Sequence, residues 1–228
     1  MSDNEIQNSP RKRRLERERK QRRNDIIKTA EWFFANQGYD QTMVDQIAVN
    51  AGYSKATIYN YFDSKDDLFV AVAAKALEKM FQIMQSTFGA PNAKYVLKTL
   101  GDGYLKFAEE YPDLSGLLDS GRLSLLIGKM VTKEETKQSL TESEKEFRNH
   151  QLQIERLMMD VITKTMKDSG VQTDLDPFSV VMALSTLGSA INELIMRGKR
   201  TNQPENKSRE YLAVLFNIID KGLKHYDN

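Results

Sequence analysis

Residues 38–69 read GYDQTMVDQIAVNAGYSKATIYNYFDSKDDLF and contain several short helical signals in close succession. Thr42, with Asp45 three residues later, has the spacing of a capping box and predicts a helix that stops at the next glycine. Ser54 is a good N-cap and predicts a second helix over Lys55–Tyr61. Two short helices joined at a glycine predict a helix-turn-helix, whose second helix enters the major groove of DNA.

This stretch closely resembles the DNA-binding domain of the TetR family of helical transcriptional regulators. The matching positions are Gly38, Thr42, Ile47, Ala48, Ala51, Gly52, Ser54, Lys55, Thr57, Ile58, Tyr59, Tyr61, Phe62, Ser64, Lys65, Leu68 and Phe69. The resemblance covers about residues 22–70. It implies a homodimeric, ligand-responsive transcription factor, most often a repressor that releases a palindromic double-stranded operator when a small apolar effector binds.

The second predicted helix carries the side chains expected to meet DNA. Ile58 and Phe62 lie four residues apart on one face and should pack inward, while hydroxyls and a lysine suit phosphate oxygens and base edges. The resemblance implies contacts by residues of this helix, and by Lys65 with phosphate. The full set of DNA-binding candidates is Arg22, Arg23, Thr42, Ser54, Lys55, Thr57, Tyr59, Asn60, Tyr61 and Lys65.

Roles other than DNA contact stay open for three of these residues. Tyr59 could be a core tyrosine that faces the first helix, and Lys55 and Lys65 could be plain solvated charges. Asp45 is assigned to the capping pair with Thr42, because a carboxylate at a DNA surface would repel phosphates.

Charge is distributed unevenly along a chain whose net charge is only +1. Residues 11–23 hold nine basic and two acidic residues, a net charge of +7, whereas residues 24–70 hold three lysines and seven acids, a net charge of −4. An acidic module is a poor unaided DNA binder, since phosphate neutralisation supplies most non-specific affinity. We therefore expect the basic arm to supply the missing attraction, along phosphates or in the minor groove. A solvated, disordered tail is the alternative for the arm.

The fold class expected is all-α, since 5 prolines and 12 glycines are few for an all-β chain of 228 residues. Three segments are predicted: a flexible basic arm over 1–21, a helix-turn-helix domain over 22–70, and a larger helical effector-binding and dimerisation domain over 71–228. Thr132, with Glu135 three residues later, predicts the start of a long helix in the last segment.

The larger domain is rich in methionine, which adapts its shape at apolar binding sites. The candidates for an effector pocket, chosen on spacing, are Met80, Met84, Phe88, Tyr104, Phe107 and Met158. A methionine-rich core is the alternative for each of them.

The candidates for a two-fold dimer interface are Phe178, Val181, Met182, Ser185, Ser189, Tyr211, Leu215 and Ile218. Packing within one chain is the alternative for these stripes.

Several classes of function are disfavoured by composition. The chain has no cysteine and only two histidines, which argues against thiolate metal sites, cysteine nucleophiles and histidine-rich zinc sites. No nucleophile–base pair or phosphate loop is visible, so we expect a non-enzyme without cofactor or metal. The longest uncharged stretch has 16 residues, too few for a membrane span, so we expect a cytoplasmic protein without a membrane partner. A helical architectural protein that binds DNA non-specifically through its arm is the rival function.

Overall fold

A computed structural model describes residues 10–88, 96–118, 120–168 and 176–183, together with residues 186, 190, 210 and 214. Within these residues the secondary structure is helical and contains no strand, as the all-α prediction requires. Eight helices follow in order: α1 (Pro10–Gln41), α2 (Val44–Ala51), α3 (Lys55–Tyr59), α4 (Lys65–Phe88), α5 (Val96–Glu110), α6 (Pro112–Leu118), α7 (Gly121–Glu135) and α8 (Glu142–Asp168). Residues 177–183 are also helical.

The first helix is longer than the sequence predicts. Residues 10–21 were expected to be a flexible arm, but they continue α1 in the N-terminal direction without interruption. Pro10 at the first helical position costs no hydrogen bond there, and no glycine or proline follows until Gly38. At Gly38 the backbone takes φ 77° and ψ 164°, so the chain kinks before the end of α1. The arm is therefore a helical extension of the DNA-binding domain.

One apolar core runs through the described residues. The central helix α4 packs against α1, α5, α6, α7 and α8, and most extensively against α8. Its run of alanines and valines from Val70 to Ala76 is nearly all buried, because neighbours cover it on several sides. The expected boundary between residues 70 and 71 falls inside this helix, in its second turn, so α4 runs across the predicted boundary without a break.

A second local prediction fails in the larger domain. Thr132 does not start a helix: it lies inside α7, and its hydroxyl donates to the carbonyl of Gly128, 3.1 Å away. The long helix begins instead after Thr141, whose Oγ1 accepts from the amide of Glu144 at 3.1 Å while the Glu144 carboxylate accepts from the amide of Thr141 at 2.9 Å. Thr132–Glu135 and Thr141–Glu144 both have the Thr-x-x-Glu pattern, but only the second follows a turn.

None of the helices in the described part of the chain combines the length and apolar character needed to cross a membrane.

Candidate nucleic-acid interface

The helix-turn-helix is formed by α2 and α3. Gly52 ends α2 in the left-handed conformation, with φ 76°, which glycine adopts without the steric cost that other residues meet. Ser54 then caps α3, its Oγ accepting from the Thr57 amide at 3.1 Å. Ile58 and Phe62 are fully buried and attach α3 to the core, as their spacing predicts. The two helices are thus held at a fixed angle by a turn that the local sequence specifies.

The outer face of α3 presents the polar side chains to solvent. Ser54, Lys55 and Asn60 are exposed, and Tyr59 is 44% exposed, which contradicts the alternative that Tyr59 is a core residue. Thr57 is half-buried beside Ser54, its hydroxyl 2.8 Å from the Ser54 hydroxyl. Four of these five residues are exposed and Thr57 is half-buried, so α3 and its two ends leave polar side chains open to solvent.

Lys55 is not a free charge at this surface. Its Nζ donates to Asp45 Oδ2 at 2.9 Å, joining the start of α3 to the first turn of α2. This hydrogen bond raises the pKa of Lys55. The capping role expected for Asp45 is therefore wrong: its carboxylate pairs with a lysine of the recognition helix α3.

Thr42 is misplaced in the sequence-based set of DNA contacts. It is buried, and its hydroxyl donates to the carbonyls of Gly38 at 2.7 Å and Phe33 at 3.1 Å. Its role is to close the end of α1, where carbonyl groups lack helical partners. The residue at the N-cap of α2 is Met43, whose side chain makes no capping hydrogen bond. Gln46 accepts from the Met43 amide at 3.1 Å instead.

Tyr61 and Lys65 lie at the edge of the α3 surface. The guanidinium of Arg19 lies 5.9 Å from the centre of the Tyr61 ring, so the basic N-terminal part of α1 runs beside the end of the recognition helix. The Lys65 ammonium lies over the Tyr39 ring at 4.2 Å and 3.5 Å from the carbonyl of Asp40. Partial burial there lowers the pKa of Lys65. Lys65 is thus half-buried rather than a plain solvated charge.

Arg22 and Arg23, adjacent in sequence, have different environments. Arg22 is exposed, as a DNA contact needs. Arg23 is 9% exposed; its guanidinium donates to Glu146 at 2.7 Å and to Ser143 at 3.4 Å, both on α8. It also lies 5.3 Å from the centre of the Phe62 ring. The DNA contact predicted for Arg23 is contradicted, since this cation is occupied between α1 and α8.

A second polar connection joins the DNA-binding domain to α7. Arg122 donates to Asp66 in the first turn of α4 and, at 3.1 Å, to the Tyr39 hydroxyl, while Tyr39 itself donates to Asp66. Burial, followed by the hydrogen bond with Asp66, raises the pKa of Tyr39 to about 12. Burial alone would raise the pKa of Asp66, but the hydrogen bonds from Arg122 and Tyr39 outweigh it and lower that pKa.

A third connection runs from α4 to the start of α8. Thr141 Oγ1 donates to Asp67 Oδ1 at 2.5 Å, and the other carboxylate oxygen of Asp67 accepts from the amide of Asp63 at 3.0 Å. Ser64 Oγ accepts from the Asp67 amide at 3.1 Å and so caps the start of α4. Polar contacts thus join α7 and the start of α8 to the first turn of α4, the helix that follows α3.

The candidates for an effector pocket all lie in or against the apolar core. Met80, Met84, Tyr104, Phe107 and Met158 are buried, and Phe88 packs against them half-buried. At Gly103 an added Cβ would lie 2.7 Å from Met84 Sδ, so α4 and α5 approach closely here. A separate shallow crevice lies between α7 and α8; its lining residues are Ile127, Met130, Val131, Glu134, Leu140, Phe147, Arg148 and Gln151.

The candidates for a dimer interface are only partly described. Phe178 is 58% exposed and Met182 47% exposed, as expected for apolar residues that a second chain would cover. Val181 is 2% exposed in the single chain, so its predicted interface role is wrong: it packs into the core of its own chain. Ser185, Ser189, Tyr211, Leu215 and Ile218 lie outside the described residues.

No cluster of potential metal ligands occurs among the residues that the structure describes.

Comparisons with known proteins bear on both halves of the chain. Residues 26–72 match the family model described as bacterial regulatory proteins, tetR family. The chain is 31% identical over 88 residues to the transcriptional repressor BepR of Brucella suis, and 28% identical over 92 residues to the transcriptional activator FasR of Mycolicibacterium smegmatis. These alignments cover 38% and 40% of this chain and 42% of each relative. The chain thus matches less than half the length of these curated relatives.

Solved structures extend the likeness to most of the chain at the level of the fold. The fatty acid degradation regulator FadR from Bacillus halodurans matches with a TM-score of 0.58 and 19% identity, over 85% of this chain and 97% of that one. FadR from Bacillus subtilis, solved in complex with stearoyl-CoA, matches with a TM-score of 0.58 and 19% identity, over 84% and 96%.

The described residues thus contain an N-terminal helix-turn-helix joined to further packed helices, a fold shared with the FadR structures. Within the chain, residues 26–72 resemble the tetR family of bacterial regulatory proteins.

Proposed function

We propose that the protein is a dimeric, ligand-responsive transcriptional regulator that binds a palindromic operator and releases it when a small apolar effector binds. The observation that carries the proposal is the outer face of α3, where Lys55, Tyr59 and Asn60 are exposed beside a strongly basic helix. Major-groove readers need a helix attached by its inner face with polar side chains on the outer one. The proposal assigns the protein no enzymatic activity.

The dimer is supported by the apolar residues that a single chain leaves in solvent. Phe178, Met182 and Val214 are exposed in the C-terminal part of the chain. A two-fold dimer covers the same patch on both subunits and presents two recognition helices to two half-sites a whole number of DNA turns apart. We therefore expect an operator with inverted half-sites. A test is sedimentation of the wild type beside Met182→Glu, which should shift towards monomer.

The effector proposal is supported by the packing of α4, α5 and α8 around methionines. Met84 and Met158 are adaptable side chains, and they lie among the helices that carry the three polar connections to the DNA-binding domain. The FadR neighbour was solved with stearoyl-CoA, which makes a long acyl chain the first ligand to try. An effector lowers operator affinity by the same factor by which DNA lowers effector affinity, and a coupling of about 1–3 kcal/mol gives a 5–150-fold switch.

The test of the DNA function is fluorescence anisotropy with duplex DNA from immediately upstream of the protein's own gene, beside a scrambled duplex, at about physiological ionic strength. A preference of about a thousandfold or more for the upstream duplex is expected for a specific operator. Equal affinity for both, unchanged for duplexes selected from a random pool, contradicts the proposal and favours the rival, an architectural protein that binds through its basic helix.

Repression and effector class need separate measurements. Stearoyl-CoA should lower the affinity for the operator duplex at least fivefold, whereas coenzyme A without an acyl chain should not. An effect of neither compound would reject this ligand class and leave the DNA function in place. Transcription from an operator-containing template should fall when the protein is added; a rise would make it an activator.

A further inference from the structure

The basic N-terminal segment is a surface of defined geometry. Residues 10–22 are exposed and helical, and they continue the same helix that enters the core at Ile26. Twelve residues from Pro10 to Gln21 extend about 18 Å at the helical rise of 1.5 Å per residue. We call residues 10–22 the basic extension. Its length is enough to follow several phosphates along one strand, since B-DNA places a phosphate about every 3.4 Å per strand along the helix axis.

Contacts made by two arginines set the direction of the basic extension relative to the recognition helix. Arg23, at its base, is held against α8 by Glu146 and against Phe62. One turn earlier, Arg19 lies beside the ring of Tyr61. The helix itself is supported by the Arg14–Glu18 ion pair at 3.2 Å, a spacing of four residues that stabilises helices.

The helical state limits how these cations can meet DNA. An α-helix with its side chains is about 10–12 Å wide, whereas the minor groove of B-DNA is about 6 Å wide. Insertion into the minor groove therefore requires an extended arm and is incompatible with the helix. Lying along the phosphate backbone needs no unfolding, and it keeps the contact of Arg19 beside Tyr61.

Helical periodicity divides the cations into two equal groups. The side that carries Arg19 towards Tyr61, here called the inner side, also holds Arg11, Lys12 and Arg22. The opposite, outer side holds Arg13, Arg14, Arg17 and Lys20. Each side includes one acid, Glu16 on the inner side and Glu18 on the outer, so the two sides carry the same net charge.

We infer that the basic extension binds double-stranded DNA as an intact helix, with its inner side on the phosphate backbone next to the groove that α3 enters. The inference rests on the proposed DNA-binding function and adds to it a second contact surface outside the helix-turn-helix. The outer cations face away from the duplex and contribute only long-range attraction, which salt screens.

The experiment compares two fourfold variants of the full chain with equal loss of charge. The inner variant carries Arg11→Gln, Lys12→Gln, Arg19→Gln and Arg22→Gln; the outer variant carries Arg13→Gln, Arg14→Gln, Arg17→Gln and Lys20→Gln. Affinity for a selected operator duplex is measured by anisotropy between 50 and 200 mM salt. Each phosphate contact adds about −0.9 to the slope of log K against log salt.

The inner variant should lose about a hundredfold or more in affinity near physiological salt, with a slope shallower by roughly 3. The outer variant should lose less than about tenfold and keep a slope within about 1 of the wild type. Equal losses in the two variants would overturn the inference and indicate a disordered arm or a diffuse field. A larger loss in the outer variant, or no loss in either, would overturn it as well.

A helix-breaking variant tests the same point with every cation retained. Gln21→Pro removes a helical hydrogen bond and clashes with the preceding turn, whereas the matched control Gln21→Ala preserves the helix and removes the same contact from Gln21 to Asp25. Gln21→Pro should weaken operator binding at least tenfold relative to Gln21→Ala, with unchanged thermal unfolding of the rest of the chain. Equal binding by both variants would overturn the inference. Absence of specific binding by the wild type would instead contradict the proposed function itself.

Discussion

The ion pair between Asp45 and Lys55 makes a sharp prediction about DNA affinity. It joins α2 to the recognition helix at 2.9 Å and occupies the one lysine that α3 contains. Replacing Asp45 with asparagine removes the negative charge while keeping the shape of the side chain. We expect Asp45→Asn to bind every duplex more tightly, because Lys55 becomes available to a phosphate without first losing a partner.

The size of the effect follows from the exposure of the pair. Both side chains are more than half exposed, at 52% for Lys55 and 61% for Asp45, and ion pairs this exposed are weak. The gain in affinity should therefore be small, about fivefold at most. One additional phosphate contact should also steepen the dependence of log K on log salt by about 0.9.

A double-mutant cycle separates this mechanism from simple repulsion of phosphates by the carboxylate. Anisotropy titrations of the wild type, Asp45→Asn, Lys55→Met and the double variant give the coupling between the two residues. Asp63→Asn is the matched control, because Asp63 is an exposed acid of the same domain that forms no ion pair within the described residues. If Asp45→Asn gives the same gain in the Lys55→Met background, the reasoning is refuted, and Asp45 acts on phosphates directly.

Three further predictions concern folding. Gly52→Ala should lower the free energy of unfolding by about 1–2 kcal/mol in urea titrations, because φ is 76° there; an unchanged value would contradict the strain argument. Glu146→Ala should cost about 1–3 kcal/mol by leaving Arg23 without its carboxylate partner; thermal unfolding equal to the wild type would show that the contact is dispensable. The pKa of Tyr39 is raised to about 12, so its neutral form contributes stability that is complete below pH 10 and is lost as pH rises through about 12. In Tyr39→Phe, an absorbance titration should lack the last tyrosine to ionise.

Local sequence was sufficient for the helix-turn-helix and insufficient wherever two local patterns competed. Gly52, Ser54 and Ile58 act within a few residues of themselves, through backbone conformation, capping and burial of one face, and the structure has each of them in its predicted role. The capping pair of Thr42 and Asp45 failed because each side chain found a better partner: a carbonyl at the end of α1 and a lysine of α3.

The length of α1 depends on two opposing effects, repulsion among its N-terminal cations and elongation of the helix that follows them. A run of nine cations in thirteen residues repels itself and reads as a disordered tail. In the folded chain this run has a preformed helix to extend, and elongation of an existing helix avoids the cost of nucleation. Arg19 beside Tyr61 adds a contact that the sequence cannot show.

The sequence by itself determined the all-α class, the helix-turn-helix and the exposed polar face of α3, because those features depend on periodicity and on residues a few positions apart. Only the tertiary structure decided what joins the two domains. Arg23 meets Glu146 across 123 positions and Asp67 meets Thr141 across 74, and no local pattern marks such partners. These contacts exist because α8 packs along α4 and brings distant polar side chains within hydrogen-bonding distance, where burial favours their pairing over solvation.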